Sequence, residues 1–204
     1  MSNKISRRSF LKCAGVSAAA VSTAGLLGGC RSSSNSVEVK VGDQISNWNN
    51  LTVRLNTVYK YPTTPSQEGY EYVIVLVMAR NLTANTDFAI GAQNVLDIDA
   101  AYPVPPTTNV DAYFDLLAQS TEDFAVSCDG ASAKSGAYVY LYDEDNDSFS
   151  DSPSLPAKRA GYICLMSLVP TGWSELEINY TPTFVANKTM TFVIKSTELS
   201  DVNG

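Results

Sequence analysis

The sequence predicts a mainly β protein, an antiparallel β-sandwich that carries one short inserted helix. Residues 51–58 and 174–180 alternate apolar and polar side chains with a period of two, as expected of strands that bury one face. Turn residues at 128–130 and 170–172 separate such segments. Short strands joined by turns, without alternating helices, are typical of a sandwich.

The other strand segments differ in how their faces are covered. Residues 137–142 and 191–194 are rich in β-branched and aromatic side chains, which strands favour. Residues 72–80 are apolar on both faces, with Val75 in one row and Leu76 in the other. Because a sandwich strand normally has one wet face, we expect the second row to be covered by another part of the chain.

The segment 101–120 is a candidate for this cover. After a run of prolines, Asn109 suits a helix N-cap. Apolar side chains then follow at helical spacing, at Val110, Tyr113, Phe114 and Leu117. The spacing predicts a short amphipathic helix over 110–118, which we expect to pack across the outer row and contact Leu76. The alternative leaves Leu76 and Met78 exposed as a surface for a partner or a dimer.

The first residues resemble an export signal. Residues 6–12 read Ser-Arg-Arg-Ser-Phe-Leu-Lys, and the pair Arg7 and Arg8, followed by an aromatic residue and a leucine, resembles the twin-arginine signal for translocation. Residues 13–29 are too short and weakly apolar for the roughly 20-residue helix that spans a membrane. We therefore expect residues 1–29 to be a cleaved signal peptide, with an uncleaved membrane anchor as the alternative.

A cysteine follows this leader. Residues 27–30 read Leu-Gly-Gly-Cys and resemble the lipobox of bacterial lipoproteins, whose cysteine is acylated. The resemblance implies a lipid on Cys30, because two acyl chains give stable membrane anchoring. Residues 30–36 are then a polar, flexible tether, and residues 37–204 are a folded domain outside the cytoplasm, anchored to the cell membrane.

Removal of the leader changes the charge of the chain. The leader contains four basic residues and no acidic ones, which leaves ten of the 14 basic residues against 21 acidic ones and a formal charge of −11. Such a surface is repelled by nucleic-acid phosphates and by anionic lipid headgroups. We therefore expect no nucleic acid among the partners of this protein.

Two cysteines, Cys128 and Cys164, remain in the exported domain. Cysteine pairs in exported domains commonly form disulfides, and this one would stabilise the fold by about 3–4 kcal/mol on the chain-entropy model. We expect the two residues to be close and bridged. Two buried thiols are the alternative, because cysteine also packs as a small apolar side chain.

Motifs at both ends of the mature chain resemble one family of bacterial surface lipoproteins. The family opens with Val-Gly-Asp and continues with a valine-rich strand closed by asparagine, as residues 41–43 and 69–81 do. Its Gly-strand-Pro segment and closing strands are similar to residues 161–170, 178–180 and 190–194. The chain resembles the DUF4352-like, telokin-like group, which implies an immunoglobulin-like antiparallel β-sandwich at the cell surface and no agreed enzymatic activity. Residues 101–135 exceed the family pattern and are expected to be an insertion.

The domain has no catalytic pattern. The chain contains no histidine, which removes Ser-His and Cys-His nucleophile pairs and the commonest general base. Its Ser-x-x-Lys motif, Ser9 to Lys12, lies in the leader. We therefore expect a binding protein rather than an enzyme, with a protein or polymer of the cell envelope as its partner.

One acidic cluster resembles a calcium loop. Its four aspartates fall at positions one, three, five and nine of such a loop: Asp143, Asp145, Asp147 and Asp151. Carboxylates spaced in this way can converge on a cation. However, position six is Ser148 instead of glycine, and position twelve is Ser154 instead of glutamate. The sequence therefore favours a solvated hairpin tip and no cofactor. A calcium-binding or small-ligand-binding lipoprotein that uses residues 143–151 is the alternative function.

Overall fold

The chain folds mostly into β-strands. The structure is a computed structural model that describes residues 35–61, 63–90, 110–118, 123–143, 148–152, 154–185 and 187–200. The strands are β1 (Ser36–Lys40), β2 (Gln44–Trp48), β3 (Leu51–Lys60), β4 (Tyr70–Asn81), β5 (Phe88–Ala89), β6 (Phe124–Cys128), β7 (Ala131–Ser132), β8 (Lys134–Asp143), β9 (Ser148–Ser152), β10 (Ser154–Leu155), β11 (Ala160–Pro170), β12 (Glu175–Tyr180) and β13 (Thr189–Lys195). Helix α1 is Val110–Ala118, and a 3-10 turn (Ser196–Glu198) follows β13.

The strands form two main sheets. One sheet has the order β2-β3-β4-β11-β8-β9, the other has the order β1-β13-β12-β6-β7, and β5 pairs with β10 in a short ribbon. Strand β1 runs parallel to β13, from the pair Ser36–Thr189 to the pair Lys40–Val193. The predicted β-sandwich with one short helix is confirmed. The antiparallel expectation is wrong for β1, which reaches β13 by crossing over instead of by a hairpin turn.

Apolar side chains of the two sheets meet in a common core. Strands β12 and β13 alternate half-buried and buried positions, as the period-two pattern predicts. Core members such as Leu55, Val75 and Phe192 are buried, and each contributes about 1.5–3 kcal/mol. On the outer face of the five-stranded sheet, Asn179 donates to Glu177 and accepts from the hydroxyl of Thr191, both at 2.7 Å.

Helix α1 covers the outer face of the six-stranded sheet. Leu76 and Phe114 are 0% and 1% exposed, and both belong to a second apolar cluster that includes Val110 and Leu117. The helix spans the residues predicted for it. The expected packing against Leu76 is therefore confirmed, and Met78 is half-buried.

Polar contacts fix α1 on the sheet. The Tyr72 hydroxyl donates to Asp111 at 2.6 Å, and the amide of Ser66 lies 3.2 Å from both oxygens of the same carboxylate. The hydrogen bond from Tyr72 lowers the pKa of Asp111. Further along the helix, Lys134 pairs with Asp115, and its ammonium lies 5.2 Å from the ring centre of Phe114. The helix is thus held by charge as well as by its apolar face.

Residues 124–135 form strands of the sandwich. Strand β6 pairs with β12 from Phe124–Tyr180 to Cys128–Leu176, and β8 already begins at Lys134. The predicted insertion 101–135 therefore contains strand β6 and the beginning of β8. Its last part alternates buried and less buried residues, which is the pattern of a strand rather than of a surface loop.

Candidate functional site

Several predicted site residues lie outside the described part of the chain. Arg7, Arg8 and Cys30 precede Asn35, the first described residue. Two of the predicted calcium ligands, Asp145 and Asp147, also fall outside it. Among the described residues, no helix is long and apolar enough to cross a bilayer.

The two cysteines of the domain are buried and form no disulfide. Cys128 belongs to the core between the sheets, whereas Cys164 belongs to the cluster beneath α1. The six-stranded sheet separates the two clusters, and a disulfide requires the two Cβ atoms to face each other at about 4 Å. The expected bridge is therefore corrected to two buried thiols, and burial raises the pKa of Cys128 to about 11.

The acidic segment is a hairpin. Asp143 pairs with Ser148 near its tip, and Asp151 lies opposite Tyr140 in the ladder of β8 and β9. Position nine of the candidate calcium loop is thus part of an extended strand and does not curl towards position one. Within the described ranges, no group of three or more acidic or cysteine side chains is arranged to hold a metal ion.

The sandwich has two ends that differ in chemistry. Where the chain enters, the amide of Thr189 donates to the carbonyl of Asn35 at 2.8 Å. We call this the N-terminal end, and it also carries the β2–β3 turn, the loops 82–87, 156–159 and 181–188, and the pair Asp143–Ser148 where β8 ends and β9 begins. The opposite end, which we call the far end, carries the turns at 41–43, 61–69, 129–130 and 171–174.

A hairpin presents Trp48 at the N-terminal end. Asn49 and Asn50 form its two-residue turn with φ values of 49° and 66°, a type I′ geometry that asparagine tolerates. Asn47, with φ of 55°, lies in the register shift between Ile45 and Trp48, and such a bulge bends a strand and redirects its side chains. These turns place a half-buried indole at the edge of the six-stranded sheet.

Aromatic rings support this hairpin. The ring centre of Trp48 lies 6.4 Å from that of Tyr180, which stacks on Phe124 at 4.5 Å. Phe88 and Phe184 stack at 4.0 Å with their planes 3° apart. Burial raises the pKa of Tyr180. These packed rings form an apolar platform beneath the loops of the N-terminal end.

Hydrogen bonds join the loops of the N-terminal end. The side-chain amide of Asn81, which is 0% exposed, donates to the carbonyls of Thr86 and Leu155 at 2.8 and 2.9 Å. The backbone amide of Leu82 donates to the carbonyl of Asn50 at 2.8 Å. Leu82 is thereby held outward at 42% exposure, and it is the one exposed large apolar side chain among those whose burial the structure describes.

Basic side chains are distributed unevenly between the two ends. Four of them surround the N-terminal end and form no ion pair within the described ranges; we call them the rim cations: Arg80, Lys158, Arg159 and Lys188. The other described lysines all have acidic partners: Lys40 with Glu38, Lys60 with Glu71, Lys134 with Asp115 and Lys195 with Glu175. Arg54, within β3, also forms no ion pair among the described residues. The rim cations are therefore not held in ion pairs, although Asp87, Asp123 and Asp143 lie at the same end.

A buried carboxylate closes the far end. Glu71 accepts a hydrogen bond from the indole of Trp173 at 3.0 Å and pairs with Lys60 at 2.5 Å. Glu71 and Trp173 are 9% and 4% exposed. Nearby, the carboxylate of Asp129 accepts from the amide of Ser174 at 3.1 Å and holds the adjacent turn. Because both oxygens of Glu71 have partners, this cluster closes the core at the far end.

One feature of the N-terminal end can be recognised from the sequence alone. The asparagine-rich run 47–50 is typical of a hairpin turn, although it does not reveal what the turn presents. The other groups come from distant parts of the chain: Lys188, which donates to Asn49 at 3.1 Å, is 139 residues away. This site therefore becomes visible only when the strands are paired.

One family model matches the N-terminal segment. Residues 4–24 match the TAT (twin-arginine translocation) pathway signal sequence, so the predicted twin-arginine signal is confirmed and the protein is exported. No curated protein matches the chain.

Two solved structures are similar to the chain. One is an uncharacterized beta-sandwich protein from Clostridium difficile 630, with 11% identity and a TM-score of 0.41 over 79% of this chain and 94% of that one. The other is MPT63, a secreted protein from Mycobacterium tuberculosis, with 9% identity and a TM-score of 0.35 over 78% of this chain and 97% of that one.

Proposed function

We propose that this exported β-sandwich is a lipid-anchored module that binds a protein or polymer of the cell envelope, with Cys30 as the attachment site. The observation that carries the proposal is the place where the chain enters the domain. Asn35 enters at the N-terminal end, five residues after Cys30. A tether of this length spans at most about 18 Å. A lipid on Cys30 would therefore keep the N-terminal end near the bilayer and direct the far end away from it.

The position of Cys30 suits an anchor. It follows the matched signal, which ends at residue 24, and precedes the first strand, so a lipid there disturbs neither element. Residues 27–30 resemble a lipobox. Two acyl chains hold a protein stably, since each buried methylene contributes about 0.8 kcal/mol.

The far end is the surface that we propose for the partner. Helix α1 covers one outer face of the sandwich, and hydrogen-bonded polar side chains occupy the other. The end loops remain, and loops held by a rigid scaffold commonly carry binding sites. Asp43, Glu68 and Asp129 are exposed at the far end, which favours a partner with basic groups.

Binding accounts for this chain better than catalysis does. The chain contains no histidine, and the buried carboxylate of the described far end is already paired. The resemblance to DUF4352-like lipoproteins also supports a binding role and an immunoglobulin-like form of the sandwich. The acidic hairpin gives less support to the alternative of calcium binding, because residues 148–152 are extended.

The anchor is tested by cysteine substitution in cells fed an alkyne-labelled fatty acid. Wild-type protein and the control Cys13→Ser should be labelled and recovered with membranes. The Cys30→Ser variant should lose the label, and it should be released or retain its leader. A Cys30→Ser protein that stays in the membrane with its leader removed would refute the lipid anchor.

The partner surface is tested by photo-crosslinking on intact cells. A crosslinker at Glu68 probes the far end, and one at Asn179 probes the outer face of the five-stranded sheet. We expect a discrete crosslinked species from position 68 and none from position 179. Equal crosslinking from both positions would contradict a partner surface at the far end.

A further inference from the structure

We propose that the N-terminal end of the sandwich lies against the membrane surface, with Trp48 and Leu82 among the lipid headgroups and the rim cations facing anionic lipid. This inference rests on the proposed anchor at Cys30 and adds an orientation to it. The anchored domain then has a preferred orientation, with its N-terminal end in contact with the bilayer.

The tether brings this end within reach of the bilayer. Five residues separate Cys30 from Asn35, and Asn35 is held by Thr189 at the edge of the N-terminal end. Even fully extended, these residues span about 18 Å, which is comparable to the depth of the headgroup region plus a few water layers. A shorter average extension places the loops of this end at the headgroups.

The exposed chemistry of this end matches an interface. Tryptophan is enriched at the boundary between membrane and water because its ring is amphipathic, and Trp48 is half-buried at the end of β2, next to the two-residue turn. Leu82 is 42% exposed in the neighbouring loop, with a main-chain hydrogen bond to Asn50 of that hairpin. Two apolar side chains on joined loops can thus enter the interface together.

The rim cations offer this end a contact with anionic lipid headgroups. The mature chain is acidic as a whole, yet the rim cations have no ion pairs in the described parts of the chain. Asp87 and Asp123 also lie here, and the carboxylate of Asp87 accepts the amide of Ala157 at 2.9 Å. Asp143, where β8 ends, lies at this end as well. Its strand is about four strand spacings or roughly 19 Å from β2, but it is adjacent to β11, which Arg159 precedes. Because the Debye length is about 8 Å at physiological salt, the repulsion from Asp143 is screened at the β2 edge, where Lys188 contacts Asn49, and is felt more strongly around Arg159.

The two tryptophans of the chain provide the test. Acylated protein is purified from its own membranes and reconstituted in vesicles that contain brominated lipid, which quenches nearby indoles. In Trp173→Phe the remaining Trp48 should lose emission, and more so when phosphatidylglycerol is present. In the matched variant Trp48→Phe, the remaining Trp173 is buried at the far end and should keep its emission. Charge reversal in Arg159→Glu with Lys188→Glu should reduce the quenching of Trp48.

A second measurement covers the case in which a tryptophan variant does not fold. A nitroxide on Leu82→Cys should report immersion in the lipid by power saturation, whereas a nitroxide on Glu68→Cys at the far end should report water. Both native cysteines of the domain are buried and should not react.

The outcomes separate this inference from the anchor. Acylated Cys30 with unquenched Trp48 and a water-exposed probe at position 82 would overturn the membrane contact alone. Quenching of Trp48 that is the same with and without phosphatidylglycerol would overturn the role of the rim cations. A Cys30 without lipid, detected by the mass of the N-terminal peptide, would overturn both proposals.

Discussion

A Cβ atom placed on Gly136 would lie 2.4 Å from the Cβ of Leu117 and 2.7 Å from its backbone carbon. The main chain of α1 therefore approaches β8 as closely as it does because residue 136 has no side chain. This contact lets the helix press its apolar face onto the second row of β4.

We predict that Gly136→Ala destabilises the domain, because either the helix or the strand must move. Overpacking of this kind typically costs about 1–3 kcal/mol in the free energy of unfolding. Denaturant unfolding monitored by circular dichroism measures it. The control Ser132→Ala, at an exposed position of β7, should stay within about 0.5 kcal/mol of wild type. An unchanged midpoint for Gly136→Ala would mean that the approach of helix and strand is not tight.

The cluster beneath α1 should behave as one unit. Leu76→Ala is expected to cost about 2–5 kcal/mol and Phe114→Ala about 3–5 kcal/mol, since both side chains are fully buried. The double variant should cost less than the sum, because removal of one side chain loosens the packing of the other. Chemical unfolding of all four proteins gives the coupling. Leu82→Ala serves as the exposed control, and strict additivity would contradict a shared cluster.

The contact between Tyr72 and Asp111 should make stability depend on acid pH. The hydrogen bond from Tyr72 holds the folded-state pKa of Asp111 below its ordinary value of 3.8. Its contribution is therefore present above pH 3.8 and is lost as the pH falls through the lowered folded pKa. Tyr72→Phe should be less stable than wild type at neutral pH, and the difference should shrink in acid. Thermal midpoints across this range measure it. Tyr70→Phe, a neighbouring hydroxyl deletion, should retain the wild-type profile, and a constant difference for Tyr72→Phe would contradict the linkage.

The thiols of Cys128 and Cys164 should be protected in the native protein and reactive after unfolding. Both are buried, and burial raises the pKa of Cys128 to about 11, which keeps its nucleophilic thiolate scarce. Alkylation without reductant, followed by mass spectrometry, should show two modified residues only in denaturant. Recovery of a linked Cys128–Cys164 peptide would restore the disulfide that the sequence suggested.

Calcium should leave the thermal midpoint of the exported protein unchanged. Residues 148–152 are extended and pair with β8, so the hairpin does not have the curvature of a calcium loop. The measurement is thermal unfolding with calcium and with a chelator. The variant Asp143→Asn with Asp151→Asn should respond in the same way as wild type. A calcium-dependent rise that this variant lacks would revive the alternative function.

Local patterns predicted much of the architecture. The period-two run at 51–58 lies within β3, the helical spacing at 110–118 marks α1, and Leu76 packs in one cluster with the helix. These predictions succeeded because each depends on neighbours in the chain or on the requirement that apolar rows be covered. The short strand β6 was missed within the predicted insertion, because five residues with two small side chains carry a weak periodic signal.

The sequence by itself determined that the protein is exported and that its domain is a β-sandwich with one helix, because a signal peptide and the periodicity of strands are contiguous features. Only the tertiary structure decided that Cys128 and Cys164 lie on opposite sides of a sheet, since spacing along the chain does not say which face a strand turns inward.

The tertiary structure also decided where the charged side chains lie on the surface. A net charge of −11 predicts repulsion from anionic lipid everywhere, whereas strand pairing gathers Arg80, Arg159 and Lys188 around one end, because net charge is a sum over residues and a surface potential depends on their arrangement.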